Sequence, residues 1–365
     1  MNVKTLIIVL FSFLSLADIA AQSTQIFQQP DDRFSTAKQL YDKGHYGAAQ
    51  KMFEDFANNP GNEYSVYKDD ALYYSSMCAL KLFNKDAEYL IEQFIREHPE
   101  SYNVNDAGFQ MGNYQFLKKK YPNALKWYEQ VDRLSLTPEE NGEYFFKSGY
   151  CHYARKDYDK AAKAFYEIKD GQTFYAPLGE YFYSHIKYMN GQYQTALLGF
   201  QKLENHEWFA AIVPYYITQI YYMQEKYPEI IAYASKVLKM ENNERLAEVN
   251  RIIGEAYYRT GKYAEAIPYL ENSYSTEGEK PDQDAYQLGY AYYKSGRYDK
   301  AAGYFESTIG AEDTLTQNAA YHLADCYLKL NRKKDAKLAF GIASKGKQNQ
   351  AIREDALFNY AKISF

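Results

Sequence analysis

The chain has 365 residues, 46% apolar and 24% charged, an ordinary balance for a folded soluble protein. Its formal net charge of −5 at pH 7 argues against a nucleic-acid binder, because tracking phosphates requires clustered cations. Forty-one tyrosines stand against 21 phenylalanines and 2 tryptophans, and rings that carry hydroxyls suit both helix packing and adhesive grooves.

In chain order, residues 1–21 come first. Lys4 precedes an apolar stretch from Leu6 to Leu16, and the small residues Ala17, Ala20 and Ala21 follow. That layout predicts a cleavable secretory signal, cut after Ala20 or Ala21, and the stretch is short of the ~20 apolar residues that span a bilayer. Residues 22–32 are polar and read as a flexible linker. The sequence holds no Asn-x-Ser/Thr sequon, which favours a bacterial envelope, the periplasm included, over a eukaryotic secretory route.

From residue 33 onward one unit recurs. An alanine returns at Ala49, Ala87, Ala124, Ala161, Ala196, Ala266, Ala301 and Ala336, with Ile230 filling the remaining place, at intervals of 34 to 38 residues. Twelve residues before each stands Ala37, Ser75, Gly112, Gly149, Ser184, Thr218, Gly254, Gly289 or Ala324. Four residues after stands Phe53, Ile91, Tyr128, Phe165, Phe200, Leu270, Phe305 or Phe340, and Ala234 in unit six. The spacing predicts two amphipathic helices joined by a tight turn. Small residues let the pair approach, and the bulky residue is expected to fill the space between neighbouring units. Gly44, Gly191, Gly261 and Gly296 fall where a helix C-cap is expected, and Pro122 and Pro228 suit a first helical turn. Unit two lacks a turn glycine and reads Leu82-Phe83-Asn84.

Gly254-Glu255-Ala256-Tyr257-Tyr258 with Ala266 and Leu270 resembles the tetratricopeptide repeat, as does Leu288-Gly289-Tyr290-Ala291-Tyr292-Tyr293 with Ala301 and Phe305. The resemblance implies an all-α fold, a right-handed α-solenoid superhelix of tandem helix-turn-helix units. Nine repeats are expected over 33–345 and the start of a tenth over 346–365. The tenth is expected to be cut short, because Ile363 and Phe365 are apolar where a terminal cap should be polar.

Little in the sequence suggests catalysis. Cys78, Cys151 and Cys326 are far apart and odd in number, so small core residues are expected and not a disulfide framework. His45, His98, His152, His185, His206 and His322 show no zinc-ligand spacing, and no phosphate loop or nucleophile motif occurs. A non-catalytic protein without metal or cofactor is expected. Lys118-Lys119-Lys120 and Arg332-Lys333-Lys334, the two basic runs, read as solvated C-terminal turns of helices.

The resemblance also implies that the first helix of each unit lines a concave surface. Three residues before the small residue come Phe146, Tyr181, Tyr215 and Tyr286; one after come Tyr150, His185 and Tyr290; four after come Tyr153, Tyr188, Tyr222 and Tyr293. These eleven are the candidate binding residues, with Tyr150, His185 and Tyr290 expected to stand exposed. Alanine at Tyr150, Tyr181 and Tyr290 is expected to weaken partner binding and leave melting nearly unchanged. Asn113 is flanked by Phe109 and Phe116 with no basic residue alongside, so capture of a terminal carboxylate is not expected. The function expected is a protein- or peptide-binding scaffold of the bacterial envelope that does not span the membrane. Alternatives are a carbohydrate-capturing envelope protein or the sensory part of a longer regulator or enzyme.

Overall fold

A computed structural model describes residues 30–239, 245–275, 282–310 and 313–365. The signal segment 1–21 and most of the 22–32 linker lie outside the described residues. The first helix already begins at Pro30, inside the stretch read as linker.

The described residues form nineteen α-helices and no strand. They come in pairs, each with a first (A) and second (B) helix: α1 Pro30–Asp42 with α2 Tyr46–Ala57, α3 Lys68–Lys81 with α4 Ala87–Glu97, α5 Val104–Leu117 with α6 Tyr121–Tyr128, α7 Pro138–Ala154 with α8 Tyr158–Ile168, and α9 Ala176–Met189 with α10 Tyr193–Leu203. The pairs continue as α11 Val213–Met223 with α12 Tyr227–Val237, α13 Leu246–Arg259 with α14 Tyr263–Tyr274, α15 Asp282–Lys294 with α16 Tyr298–Thr308, and α17 Thr314–Lys329 with α18 Lys333–Ala343. A single helix, α19 Gln350–Ser364, follows. By packing, the chain divides into two compact units, the described residues up to Gly199 and Phe200–Phe365.

Each pair is held together by the small residue of helix A meeting the bulky residue of helix B. A methyl group added at Gly112 would come within 2.6 Å of the Tyr128 ring; at Gly149, within 2.9 Å of Phe165; at Gly254, within 2.7 Å of Leu270. The bulky residue therefore fills the space inside its own pair and also, as the spacing suggested, packs on the next repeat, as Phe53 does on Tyr74 and Phe165 on Phe182. The repeated alanine is fully buried in all eight repeats that carry it.

All nine hairpins share one turn. Each contains a residue in the left-handed region: Gly44, Gly191, Gly261 and Gly296 at φ between 71° and 77°, and Phe83, Lys119, Lys156, Glu225 and Asn331 at φ between 54° and 63°. The next residue's N–H donates back five positions, as His45 does to the Leu40 carbonyl at 2.8 Å and Asp157 to His152 at 2.9 Å. This is the Schellman closure, which satisfies carbonyls the helix end would leave bare. Lys118-Lys119-Lys120 forms such a turn, with Lys118 and Lys120 paired to Glu88 at 2.8 and 3.3 Å. The second basic run differs from its expected role: Lys333 and Lys334 open α18, and Arg332 binds Asp335 at 2.7 Å.

Seven B helices begin with tyrosine: Tyr46, Tyr121, Tyr158, Tyr193, Tyr227, Tyr263 and Tyr298. Six of these rings pack on the residue four after the small residue of their own A helix, as Tyr153 with Tyr158 (5.6 Å between centroids) and Tyr293 with Tyr298 (5.9 Å). An aromatic staple thus closes most hairpins.

Candidate binding face

The candidate residues lie on A helices of both units, and the two sets differ chemically. In the amino-terminal unit, α5, α7 and α9 pack side by side. Their rings, with Tyr121 and Tyr193 from the starts of α6 and α10, run in contact from Phe116 and Tyr121 to Tyr150 (5.7 and 5.9 Å), then to Tyr153 (6.3 Å), His185 (6.0 Å), Tyr188 (6.5 Å) and Tyr193 (6.0 Å). The Tyr153 hydroxyl meets His185 Nδ1 at 3.1 Å. Burial pushes the Tyr150 phenol up to about 12, so it stays a neutral donor at physiological pH.

Two residues of this set are corrected by the structure. Phe146 is 7% exposed and Tyr181 only 2%, so both are core and not groove lining. Phe146 packs against Phe165, Tyr175 and Phe182; Tyr181 sits edge-on to Phe182 and stacks on His185. Tyr150, Tyr153, His185 and Tyr188 are half-buried, each keeping part of its surface in solvent. The expectation of full exposure at Tyr150 and His185 therefore gives way to rings held on one side by neighbours.

In the carboxy-terminal unit the candidate tyrosines are engaged with charges. The Tyr215 hydroxyl donates to Glu248 at 2.7 Å, Arg251 lies over the Tyr222 ring at 5.3 Å, and Tyr293 donates to Asp325 at 2.7 Å. Lys294 lies over Tyr290 at 5.5 Å. All five candidate tyrosines here, Tyr215, Tyr222, Tyr286, Tyr290 and Tyr293, are half-buried, Tyr290 included. Burial raises the Tyr286 phenol to about 12 and, with the bond to Asp325, lifts Tyr293 as well.

His322 was not singled out by sequence. It sits two residues before the small Ala324 and is ringed by Tyr286, Tyr290, Tyr293, Phe305 and Tyr321 at 5.1 to 6.4 Å. Its Nδ1 is buried without a hydrogen-bond partner, and burial pulls the imidazole down to about 4. The equivalent place in repeat four holds Lys147, another surprise. Its amine is buried against Glu143, and burial lowers its pKa despite that partner. Neither is signalled by the sequence, because the same position also carries Ser35, Gln110 and Gln287 in other repeats.

The three cysteines are buried and free, and burial raises each thiol to about 12, which leaves them inert as nucleophiles. Among the described residues no group of three His, Cys, Asp or Glu side chains could hold a metal ion, and no helix is long and apolar enough to cross a membrane.

Helix pairs closed by one turn and keyed by one small-on-bulky contact define an α-solenoid repeat protein. Residues 143–170 match the family model described as tetratricopeptide repeat, and residues 261–342 match that described as anaphase-promoting complex, cyclosome, subunit 3. The chain thus carries helix pairs of the tetratricopeptide-repeat type. No curated protein matches it. Similar solved structures include YrrB, described as a TPR protein with an unusual peptide-binding site, at 18% identity over 54% of this chain and 96% of that one, with a TM-score of 0.44. The C-terminal part of a TPR repeat-containing protein from Cytophaga hutchinsonii is 18% identical over 68% of this chain and 99% of its own, TM-score 0.44. A tetratricopeptide repeat protein from Parabacteroides merdae is 15% identical over 72% and 98%, TM-score 0.41.

Proposed function

We propose that this protein is a non-catalytic scaffold of the bacterial cell envelope that binds partner proteins or peptides on the tyrosine-bearing face of its A helices. The observation that carries this reading is the run of half-buried rings from Tyr121 to Tyr193, because aromatic side chains fixed on one side bind at little further cost in side-chain entropy. The signal-like segment 1–21 supports export, which would place the chain in the periplasm or on the envelope. The test pairs a pull-down by the mature chain, starting at Gln22, with a glycan array. Recovery of a protein partner that is lost with Tyr153→Ala and Tyr188→Ala is expected. Glycan binding with no protein recovered would overturn the reading in favour of carbohydrate capture.

A further inference from the structure

Three hairpin turns of the carboxy-terminal unit share a charge that helix chemistry does not require. Arg259-Thr260-Gly261-Lys262 joins α13 to α14, Lys294-Ser295-Gly296-Arg297 joins α15 to α16, and Lys329-Leu330-Asn331-Arg332 joins α17 to α18, which opens with Lys333 and Lys334. These stretches hold eight cations and no carboxylate. Their helices lie side by side. Near the ends of α13 and α15 the Tyr258 ring meets Tyr290 at 5.9 Å, and near the ends of α15 and α17 Tyr293 donates to Asp325 at 2.7 Å. The three turns therefore stand on one edge of the unit.

Arg259, Lys294 and Lys329 occupy last turns, where a cation suits the helix dipole. Lys262, Arg297 and Arg332 do not. Each is the N-cap of a B helix, makes no side-chain capping bond, and puts positive charge where the dipole disfavours it. Repeat four shows that this turn accepts a capping carboxylate, since Asp157 receives the Lys160 N–H. A local preference broken three times on one edge points to a partner outside the fold. Part of the charge is answered within the chain: Arg259 binds Glu255 at 2.6 Å and Arg332 binds Asp335 at 2.7 Å. Lys294 and Arg297 rest over the Tyr290 and Tyr292 rings, which leaves their charge in place, and Lys262, Lys329, Lys333 and Lys334 are exposed. Glu265, Asp299 and Asp335, in the first turns of α14, α16 and α18, leave the cations in excess.

The A-helix face beside this edge carries Glu248, Glu255 and Asp325 together with Arg251. A flexible polyanion following the edge would meet those carboxylates, whereas a flat anionic surface touches only the turns. We propose that the hairpin edge of repeats seven to nine docks end-on against an anionic bilayer surface, with lipid phosphates facing its guanidinium and ammonium groups. The attachment is peripheral, held by charge and weakened by salt. It uses a different surface from the A-helix face and does not depend on that face binding a partner.

The test is flotation of the mature chain with vesicles of phosphatidylcholine alone and of phosphatidylcholine mixed with phosphatidylglycerol. Starting the chain at Gln22 keeps the apolar stretch Leu6–Leu16 from entering the bilayer itself. Binding to the anionic vesicles at least about tenfold stronger, and lost at high salt, is expected. Lys262→Gln with Arg297→Gln should weaken it about twentyfold, since each cation at an anionic surface is worth about fivefold. Lys345→Gln with Lys347→Gln removes the same charge from exposed sites between α18 and α19, at the other end of α18, and should weaken it by no more than about twofold. Both pairs are exposed, and the helical spectrum of each should match the wild type. Equal binding to the two kinds of vesicle, or equal losses in the two double variants, overturns the proposal. Capture by soluble polyglutamate without vesicle binding also overturns it, and assigns the edge to an acidic protein.

Discussion

Tyr292 and Tyr327 show what many of the tyrosines are for. Each stands three residues after the small residue of its repeat and donates to a glutamate on the preceding B helix, Glu271 and Glu306 respectively, both five residues after the repeated alanine. Tyr221 holds the same place in repeat six, where its hydroxyl accepts from Gln201 at 3.4 Å. Tyr292→Phe should therefore cost about 1 kcal/mol in urea unfolding, the ordinary worth of one hydrogen bond. Tyr181→Ala is a different case, since that ring is 2% exposed, and a loss of about 3–5 kcal/mol is expected from emptying its site. An alanine triple at Tyr150, Tyr181 and Tyr290 would thus confuse binding with folding, and Tyr150→Phe or Tyr188→Ala is the cleaner probe. His322 gives a pH dependence with a definite sign. Its imidazole is held near 4 by burial against about 6.5 in an unfolded chain, so the fold favours the neutral form. The stabilisation is complete above pH ~6.5, shrinks as pH falls, and is gone near pH 4, roughly 3 kcal/mol in all. Asp325 opposes this shift and Lys294 adds to it. Unfolding midpoints of wild type and His322→Phe at neutral, mildly acidic and acid pH check it: the variant should lose less stability on acidification, and parallel curves would show that His322 does not titrate as described.

At the scale of the element, the hairpin turn carries strain that the sequence conceals. Four turns use glycine in the left-handed region, which the residue type announces; five place Phe83, Lys119, Lys156, Glu225 and Asn331 there, and no glycine marks the strained position. A side chain in that region costs about 1–2 kcal/mol, of which glycine's greater freedom in the unfolded chain takes back part. Lys156→Gly and Glu225→Gly should each raise stability by about 0.5–1 kcal/mol, and Gly261→Ala should lower it by about 1 kcal/mol, although a methyl group there would touch nothing within 4 Å. Thermal melting of the three variants decides it; a neutral Gly261→Ala would mean the turn relaxes. Within the pair, Gly254→Ala should cost about 1–3 kcal/mol, because the new methyl group meets both the Leu270 side chain and its backbone nitrogen.

For the whole molecule, the repeat was legible because one requirement, a small residue facing a bulky one, recurs in all nine pairs except at Ala234. The helix boundaries and the all-α class follow from that period and its turns. What sequence left open is which tyrosines meet solvent. Positions three before, one after, three after and four after the small residue all carry tyrosine, and their fate depends on which neighbours, on the same helix or the next, close over them. Tyr181 is sealed by Phe182 and His185, while Tyr153 and Tyr188 keep an open side. Charges across the repeat boundary, Glu248 to Tyr215 and Asp325 to Tyr293, are 33 and 32 residues apart and carry no local signature. The proposed function puts partners on the A-helix face. Hydrogen exchange read by mass spectrometry, on the mature chain with and without a captured partner, tests it most directly. Slowed exchange is expected in α7 and α9, around Tyr153 and Tyr188, with α8 and α10 unchanged. Protection confined to the B helices α8 and α10 would contradict it.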